Sequence, residues 1–310
     1  MLPKRQHVGS GNDGSNTKMK TLFWNIGKKL TERKLDLISE AITSESPDIF
    51  CIAEGSQSKD DCQKIISVFE NHLYTCYYSP LFYLDNCLSL NYKYKSNGLK
   101  VFTKTDKTAS ESFSFSLQRQ DGRIVSLKSY INYIPTNFVF LHNLSKSGNP
   151  EVTLDQAEFI RSLADMLIMN NTFANPERII QERTLIIGDF NLEPWDNVLK
   201  HKKYLSTNFF QVHDSIVQRN NTSIKSYFNP LVQVILEAKI ENLGGTYFSD
   251  NSGWALFDYV LYDTKESNIT YEVLTEFQGG TKLLNKDTKI CKSFLHEGLD
   301  HLPITTKFKI

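Results

Sequence analysis

The chain has 310 residues, 40% of them hydrophobic and 12% aromatic, and its 35 basic and 35 acidic side chains leave no formal net charge. That length can bury a large core, while zero net charge argues against a strongly cationic, non-specific nucleic-acid binder without excluding a local basic groove. No apolar run approaches the ~20 residues of a membrane span, residues 1–20 lack the apolar stretch of a secretory signal, and the five cysteines (Cys51, Cys62, Cys76, Cys87 and Cys291) include no C-x-x-C pair, which together predict a reduced, cytoplasmic protein with no zinc site.

In chain order, residues 1–19 are rich in Gly, Ser, Asn and Lys and read as a disordered tail, leaving 20–310 as one domain. Residues 20–26 form a first buried strand with Asn25 near its end. A helix from about Thr31 follows, with Leu35, Ile38, Ala41 and Ile42 as its apolar stripe. Residues 49–53 are a second buried strand ending at Glu54-Gly55, and a second helix over 60–69 buries Ile65, Ile66 and Phe69. Such alternation favours sheets covered by helices. From 73 to 140 the pattern changes to short β-rich runs at 99–102, 112–117, 124–134 and 138–141, with Asn97-Gly98 and Asp121-Gly122 as hairpin turns. The last run delivers His142. A capping box from Thr153 to Gln156 opens a helix whose core face is Ala157, Ile160, Leu163, Ala164, Leu167 and Ile168. Residues 184–187 are then a buried strand that Gly188 would stop, so that Asp189 and Asn191 project the same way from extended backbone; an Asx turn explains the same pair. Residues 195–245 are hard to assign, and 256–261 form a strand with Asp258 inside an apolar run. The chain closes on Asp300-His301-Leu302-Pro303 and a last short strand.

Five strand ends thus carry polar groups that an apolar setting does not need: Asn25, Glu54, His142, Asp189 with Asn191, and Asp300 with His301. Each alone has a structural explanation. Asp258 is the hardest to dismiss, because a carboxylate inside an apolar strand must be paired or hydrogen-bonded.

The ordered set Trp24-Asn25, Ile52-Ala53-Glu54, Leu141-His142-Asn143, Gly188-Asp189-Phe190-Asn191, Phe257-Asp258-Tyr259-Val260 and Asp300-His301-Leu302-Pro303 resembles the endonuclease/exonuclease/phosphatase (DNase I-like) superfamily, from about residue 20 to 307. The resemblance implies an α+β fold, a four-layer α/β/β/α sandwich of two mixed β-sheets flanked by helices, with the active site at one end. It also implies a metal-dependent hydrolase using Mg²⁺ or Mn²⁺. Glu54 would be the main metal ligand, a carboxylate suiting a hard cation, with Asn25 and Asp300 completing or orienting the shell. His301 would contact the scissile phosphate or act as general base, its tautomer fixed by Asp258. Asp189 would position or deprotonate the attacking water, Asn191 would hold a phosphoryl oxygen, and His142 would donate to the phosphate or the leaving group. Which of Asp189 and His301 is the base stays open.

Three departures from the superfamily's pattern stand out: Ala53 where Gln is usual before the metal-binding Glu, Leu299 where Ser often precedes Asp-His, and the apolar Ala255-Leu256-Phe257 before Asp258. The first expected substrate is DNA, cut endo- or exonucleolytically. Trp254 would stack on or wedge into it, with backbone contacts from Lys93, Lys95, Lys100, Arg119, Arg123 and Lys146. Core packing and a solvated face account equally for Trp254 and the lysines. The alternative substrate is a small or lipid phosphoester (inositol phosphate, sphingomyelin or signalling nucleotide), which neutral charge suits better; Tyr77 to Leu90 is the one weak candidate for a membrane contact. A non-catalytic binding scaffold is the third reading, disfavoured by the intact set of polar groups.

Overall fold

In the computed structural model, residues 19–56, 58–79, 98–105, 114–118, 122–131, 134–145, 150–172, 182–201, 203–209, 216–219, 222–231, 245–263 and 269–308 are described. The elements run β1 (Met19–Asn25), α1 (Glu32–Glu45), β2 (Ile49–Ala53), α2 (Lys59–Asn71), β3 (Tyr74–Tyr78), β4 (Lys100–Lys104), β5 (Ser114–Gln118), β6 (Ile124–Ile131), β7 (Ile134–His142), α3 (Pro150–Thr172), β8 (Arg183–Asp189) and α4 (Asn197–Lys200). Then come β9 (Thr207–Asn208), β10 (Ile216–Arg219), β11 (Thr222–Lys225), β12 (Tyr227–Phe228), β13 (Tyr247–Ser249), β14 (Gly253–Ala255), β15 (Asp258–Tyr262), β16 (Ile269–Val273), α5 (Lys292–His296) and β17 (Ile304–Phe308).

Because successive side chains on a strand face opposite ways, the apolar runs of β1, β2 and β4 serve two cores at once. Phe23, Cys51, Ala53 and Val101 face inward to a core shared with Leu127, Phe138, Phe140 and Ile187 of the second sheet, whereas Leu22, Trp24, Phe50, Ile52 and Phe102 face outward onto α1 and α2. Phe69 of α2 stacks on Phe102 at 3.6 Å between ring centroids and meets Phe50 edge-on at 5.1 Å. Phe159, Ile160, Leu163 and Leu167 of α3 join the core of the second sheet.

One sheet has six strands in the order β16-β17-β1-β2-β4-β3, the other seven in the order β5-β6-β7-β8-β15-β12-β9. Both are mixed: β1 runs parallel to β2 and antiparallel to β17, and β7 runs parallel to β8, which is antiparallel to β15. The expected sandwich of two mixed sheets with flanking helices is therefore the observed architecture.

Local expectations needed four corrections. The run 124–134 is split between β6 and β7, which pair antiparallel up to Ile131 opposite Ile134. Helix α3 opens at Pro150, three residues before the expected capping box, consistent with the preference of Pro for a first helical turn. Gly188 does not end β8 but lies inside it. A Cβ there would sit 2.0 Å from the carbonyl oxygen of Leu141, so the glycine lets β7 and β8 approach. Asp258 is the first residue of β15 rather than an interior one. The expected tail over 1–18, the residues Cys87, Lys93, Lys95, Asn97, Arg119, Asp121 and Lys146, the stretch 80–90 and the side chain of Ile168 lie outside the described residues.

Candidate active site

Register brings the site together within each sheet before the sheets meet. His142, the last residue of β7, pairs with Asp189, the last of β8, and Asp189 pairs in turn with Asp258, the first of β15. Three polar side chains thus stand abreast on adjacent strands. The six-stranded sheet answers with Asn25 at the end of β1, Glu54 just past β2, and His301 just before β17. Across the seam, Asn25 Nδ2 donates to Asp189 Oδ2 at 3.0 Å and lies 3.5 Å from His301 Nε2. His142 Nε2 is 3.5 Å from Glu54 Oε1 and 3.8 Å from Asp189 Oδ2, which is itself 3.9 Å from His301 Nε2. His301 Nδ1 meets Asp258 Oδ2 at 2.8 Å. Glu54, Asp189 and His301, expected to share one phosphate, are in one cluster.

The backbone around these groups is tightly held. Glu54 and Asn191 both have left-handed backbone, with φ of 60° and 49°; this is uncommon for Glu and tolerated by Asn. The Asn191 amide N–H donates to Asp189 Oδ1 at 2.9 Å, while its side-chain Nδ2 donates to the carbonyl of Asn143 at 3.1 Å. Arg123 Nη1 donates to the carbonyls of His142 and Asn143, both at 3.1 Å. Trp24, wholly buried, donates its indole N–H to the carbonyl of His301 at 3.1 Å. Two groups had no sequence signal. Thr246 Oγ1 accepts the N–H of Phe257 and of Asp258, and the ring of Tyr247 sits 4.8 Å from that of His301. Thr246 reaches the site through its bonds to Phe257, Asp258 and Leu302, and Tyr247 through its bridge to His301, long-range pairings that local pattern does not encode.

Of the other expected contacts, Asp300 is half-buried at the same mouth. Its carbonyl accepts the N–H of Phe248, and its charge is felt by Glu54 and His301. Trp254 is half-buried and packs edge-on against Phe248 at 5.1 Å. Lys100 is a correction: it is fully buried and donates to the carbonyls of Glu54 at 2.5 Å and Gly98 at 3.2 Å, so it does not face a ligand. Lys34, unremarked in the sequence because it falls in a polar helix, is also buried and donates to the carbonyls of Ile26, Lys29 and Gly298.

Burial dominates the electrostatics. It pushes Asp189 up to about 7, with the nearby charge of Asp258 adding and His301 opposing. Glu54 and Asp258 are raised for the same first reason, each opposed by His301. Burial alone would lower His301, but the charges of Asp258 and Asp189 outweigh it and raise the imidazole to about 10. Asp189 and Asp258 thus share His301 as their nearest cation, Lys28 and Arg123 act on Glu54, and Asp258 Oδ1 has no hydrogen-bond partner among the described residues. Such a donor set fits a hard divalent ion. Asp189, Asp258 and His301 have ligand atoms within 4.8 Å of one another. Since His301 Nδ1 and Asp258 Oδ2 are occupied with each other, and both oxygens of Asp189 accept hydrogen bonds, the oxygens most open to a cation are those of Glu54 and Asp258 Oδ1.

A model of the endonuclease/exonuclease/phosphatase family matches residues 22–279. A humanized D. rerio TDP2 carrying 14 mutations is 11% identical with a TM-score of 0.55, the match covering 94% of this chain and 99% of that one. An AP endonuclease from Archaeoglobus fulgidus is 12% identical with a TM-score of 0.53 over 94% and 100% of the two chains. Beta toxin from Staphylococcus aureus is 15% identical with a TM-score of 0.52 over 93% and 99%. A search of curated proteins finds no match. At such identities the structural likeness speaks for the fold, which is DNase I-like. Among the described residues no helix is long and apolar enough to cross a membrane.

Proposed function

The chain belongs to the endonuclease/exonuclease/phosphatase family, and from that premise we propose that it is a divalent-metal-dependent phosphodiester hydrolase acting on DNA. The observation that carries this reading is the convergence of Asn25, Glu54 and His301 from one sheet on His142, Asp189 and Asp258 from the other. Glu54, with Asn25 and Asp300 beside it, would hold Mg²⁺ or Mn²⁺, and the ion would supply charge neutralisation at the phosphoryl oxygens.

The protein's own groups divide the remaining work. Asp258 accepts from His301 Nδ1–H, which fixes the orientation of the ring, and in the charged form Nε2 also carries a proton on the side of Asp189. Two buried carboxylates keep that imidazole charged, so His301 is assigned as the donor to a phosphoryl oxygen rather than as the base. Asp189 is held by Asn25 Nδ2 on one oxygen and by the Asn191 N–H on the other. Raised toward neutrality by burial, it takes the proton of the attacking water. His142, beside Glu54 and Asp189, donates to the leaving oxygen. Asn191 steadies Asp189 and reaches the substrate with the remainder of its amide. Tyr247 borders the mouth as a face for a base or sugar, whereas Trp254 packs with Phe248 against the outer core.

One observation favours the second reading, a small or lipid phosphoester. Of the expected DNA contacts among the described residues, Lys100 is buried and so removed from the expected groove, and Arg123 spends Nη1 on backbone carbonyls. The described cysteines form no disulfide, which suits the reduced, cytoplasmic setting that belongs to this proposal. The test is incubation with Mg²⁺ and supercoiled plasmid, linear duplex, single strand, inositol phosphates and sphingomyelin, beside Glu54→Ala and His301→Ala. Nicking that both variants lose supports DNA; hydrolysis confined to the small substrates replaces it with the second reading. Turnover of none of them by the wild type sinks both.

A further inference from the structure

Lys100 opens β4 opposite Ile52 of β2, and its side chain is completely buried. Burial lowers its pKa, and its electrostatic neighbours are the thiols of Cys62, Cys51 and Cys76 together with Glu54. A charged ammonium in an apolar wall is costly unless hydrogen bonds offset the loss of water. Here its hydrogen-bond partners among the described residues are two carbonyls and no carboxylate oxygen: Glu54 at 2.5 Å and Gly98 at 3.2 Å. The first belongs to the residue whose φ of 60° is unusual for a side chain of its kind, and the turn continues through Gly55 at 77°. Gly55 N–H is in turn tied to the carbonyl of Gly27 at 2.8 Å. A backbone held in a sparsely populated conformation persists only where its surroundings over-determine it. Ala53 offers Glu54 no side-chain donor from its own strand, and β4 supplies one.

We propose that Lys100 is a positioning residue for cation binding: its ammonium clamps the Glu54 carbonyl and so aims the Glu54 carboxylate at the space it shares with His142 and Asp189. The proposal rests on the reading of Glu54 as a cation ligand. It assigns a function to a lysine that a charge pattern places on the solvated face. Partners that orient metal ligands typically carry 10- to 100-fold in metal affinity, and Lys100→Met, which keeps the length and removes the donor, is expected to weaken Mn²⁺ binding by that factor.

The test is calorimetric titration with Mn²⁺ alone on wild type, Lys100→Met, Glu54→Gln and Phe138→Leu. The last variant trims a core ring that packs edge-on against Phe308 at 5.8 Å, four residues upstream of His142, and serves as a control for lost stability. Weakened Mn²⁺ binding in Lys100→Met but not in Phe138→Leu, at comparable losses of Tm, supports the clamp, as does a kcat that falls more than KM changes. Mn²⁺ affinity within twofold of wild type in Lys100→Met, while Glu54→Gln loses binding, overturns the clamp and leaves the hydrolase reading intact. Absence of Mn²⁺ binding by the wild type overturns both. If Lys100→Met does not fold, Lys100→Leu, which also removes the donor, is read against the same thresholds.

Discussion

β8 and β15 carry buried ionisable groups at both of their ends, and the two ends are built on opposite logic. At one end, Asp263 follows β15, with Oδ1 accepting the N–H of Thr184 at 2.8 Å and Oδ2 accepting from Lys225 Nζ, which also donates to the carbonyl of Glu182. One carboxylate meets one ammonium, and both oxygens are used. Roughly 16 Å away, at the rise of a strand per residue, Asp189 and Asp258 face each other beside Glu54, with His301 as the nearest balancing charge. A self-cancelling pair reads as a structural fastening, whereas an acidic surplus in a buried mouth reads as a place made for a visitor. Burial cannot tell them apart, for both are inaccessible; the balance of charge can.

The comparison breaks first at the mouth. Asp189→Asn and His301→Ala are each expected to lower kcat by about 10³-fold or more while the folded content by circular dichroism is unchanged; a loss below tenfold would remove them from the chemistry. At the other end, Asp263→Ala leaves Lys225 buried without its partner and is expected to cost about 3–5 kcal/mol of stability in urea unfolding, with activity per folded molecule retained. A parallel loss of kcat there would mean that the two ends are not separate.

Proton linkage sharpens the contrast. Asp189 is raised from 3.8 to about 7 in the fold, so between those values the folded chain binds more protons than the unfolded one, and the stability present at acid pH is lost as pH rises through the upper value. His301, raised from 6.5 to about 10, extends the same loss to higher pH. Metal-free Tm is therefore expected to fall from pH 5 to pH 8 by scanning calorimetry. Mn²⁺ at a hundredfold excess over its Kd should restore about 2.7 kcal/mol at pH 8 and much less at pH 5, where the acids hold their protons; equal gains at both would contradict the acidic surplus. The smallest effect is expected from Trp24→Phe, which deletes the N–H donated to the His301 carbonyl. It should cost about 1 kcal/mol and only a few-fold in kcat, measured side by side with wild type.

Much of this was readable before any coordinates. Asn25, Glu54, His142, Asp189 and His301 advertise themselves because each ends or closely flanks a strand whose apolar run makes a polar residue conspicuous. The sandwich is implied by the family resemblance that the order of those motifs carries. What stayed hidden was what depends on distant pairing. Lys34 and Lys100 read as solvated charges, since nothing local says that a lysine's neighbours are carbonyls of another strand. Thr246 and Tyr247 act through contacts with β15 and with His301, far along the chain. β9 and β12 are two residues long, too short to show a period, and β16 alternates buried Tyr271 with exposed Thr270 and Glu272 in a run weakly distinguished from loop. Gly188 is ambiguous in sequence, because a glycine that permits close approach looks there like one that ends a strand.

The seam position of the site has a further consequence. Half of its groups ride on one sheet and half on the other, with the hydrogen bond from Asn25 to Asp189 and the close pair of His301 and Asp258 spanning the gap. Catalytic competence would then gauge how faithfully two slabs are stacked rather than whether either slab is intact. A slip of an ångström or two between them, under pressure or mild denaturant, would silence the protein while nearly every strand kept its neighbours.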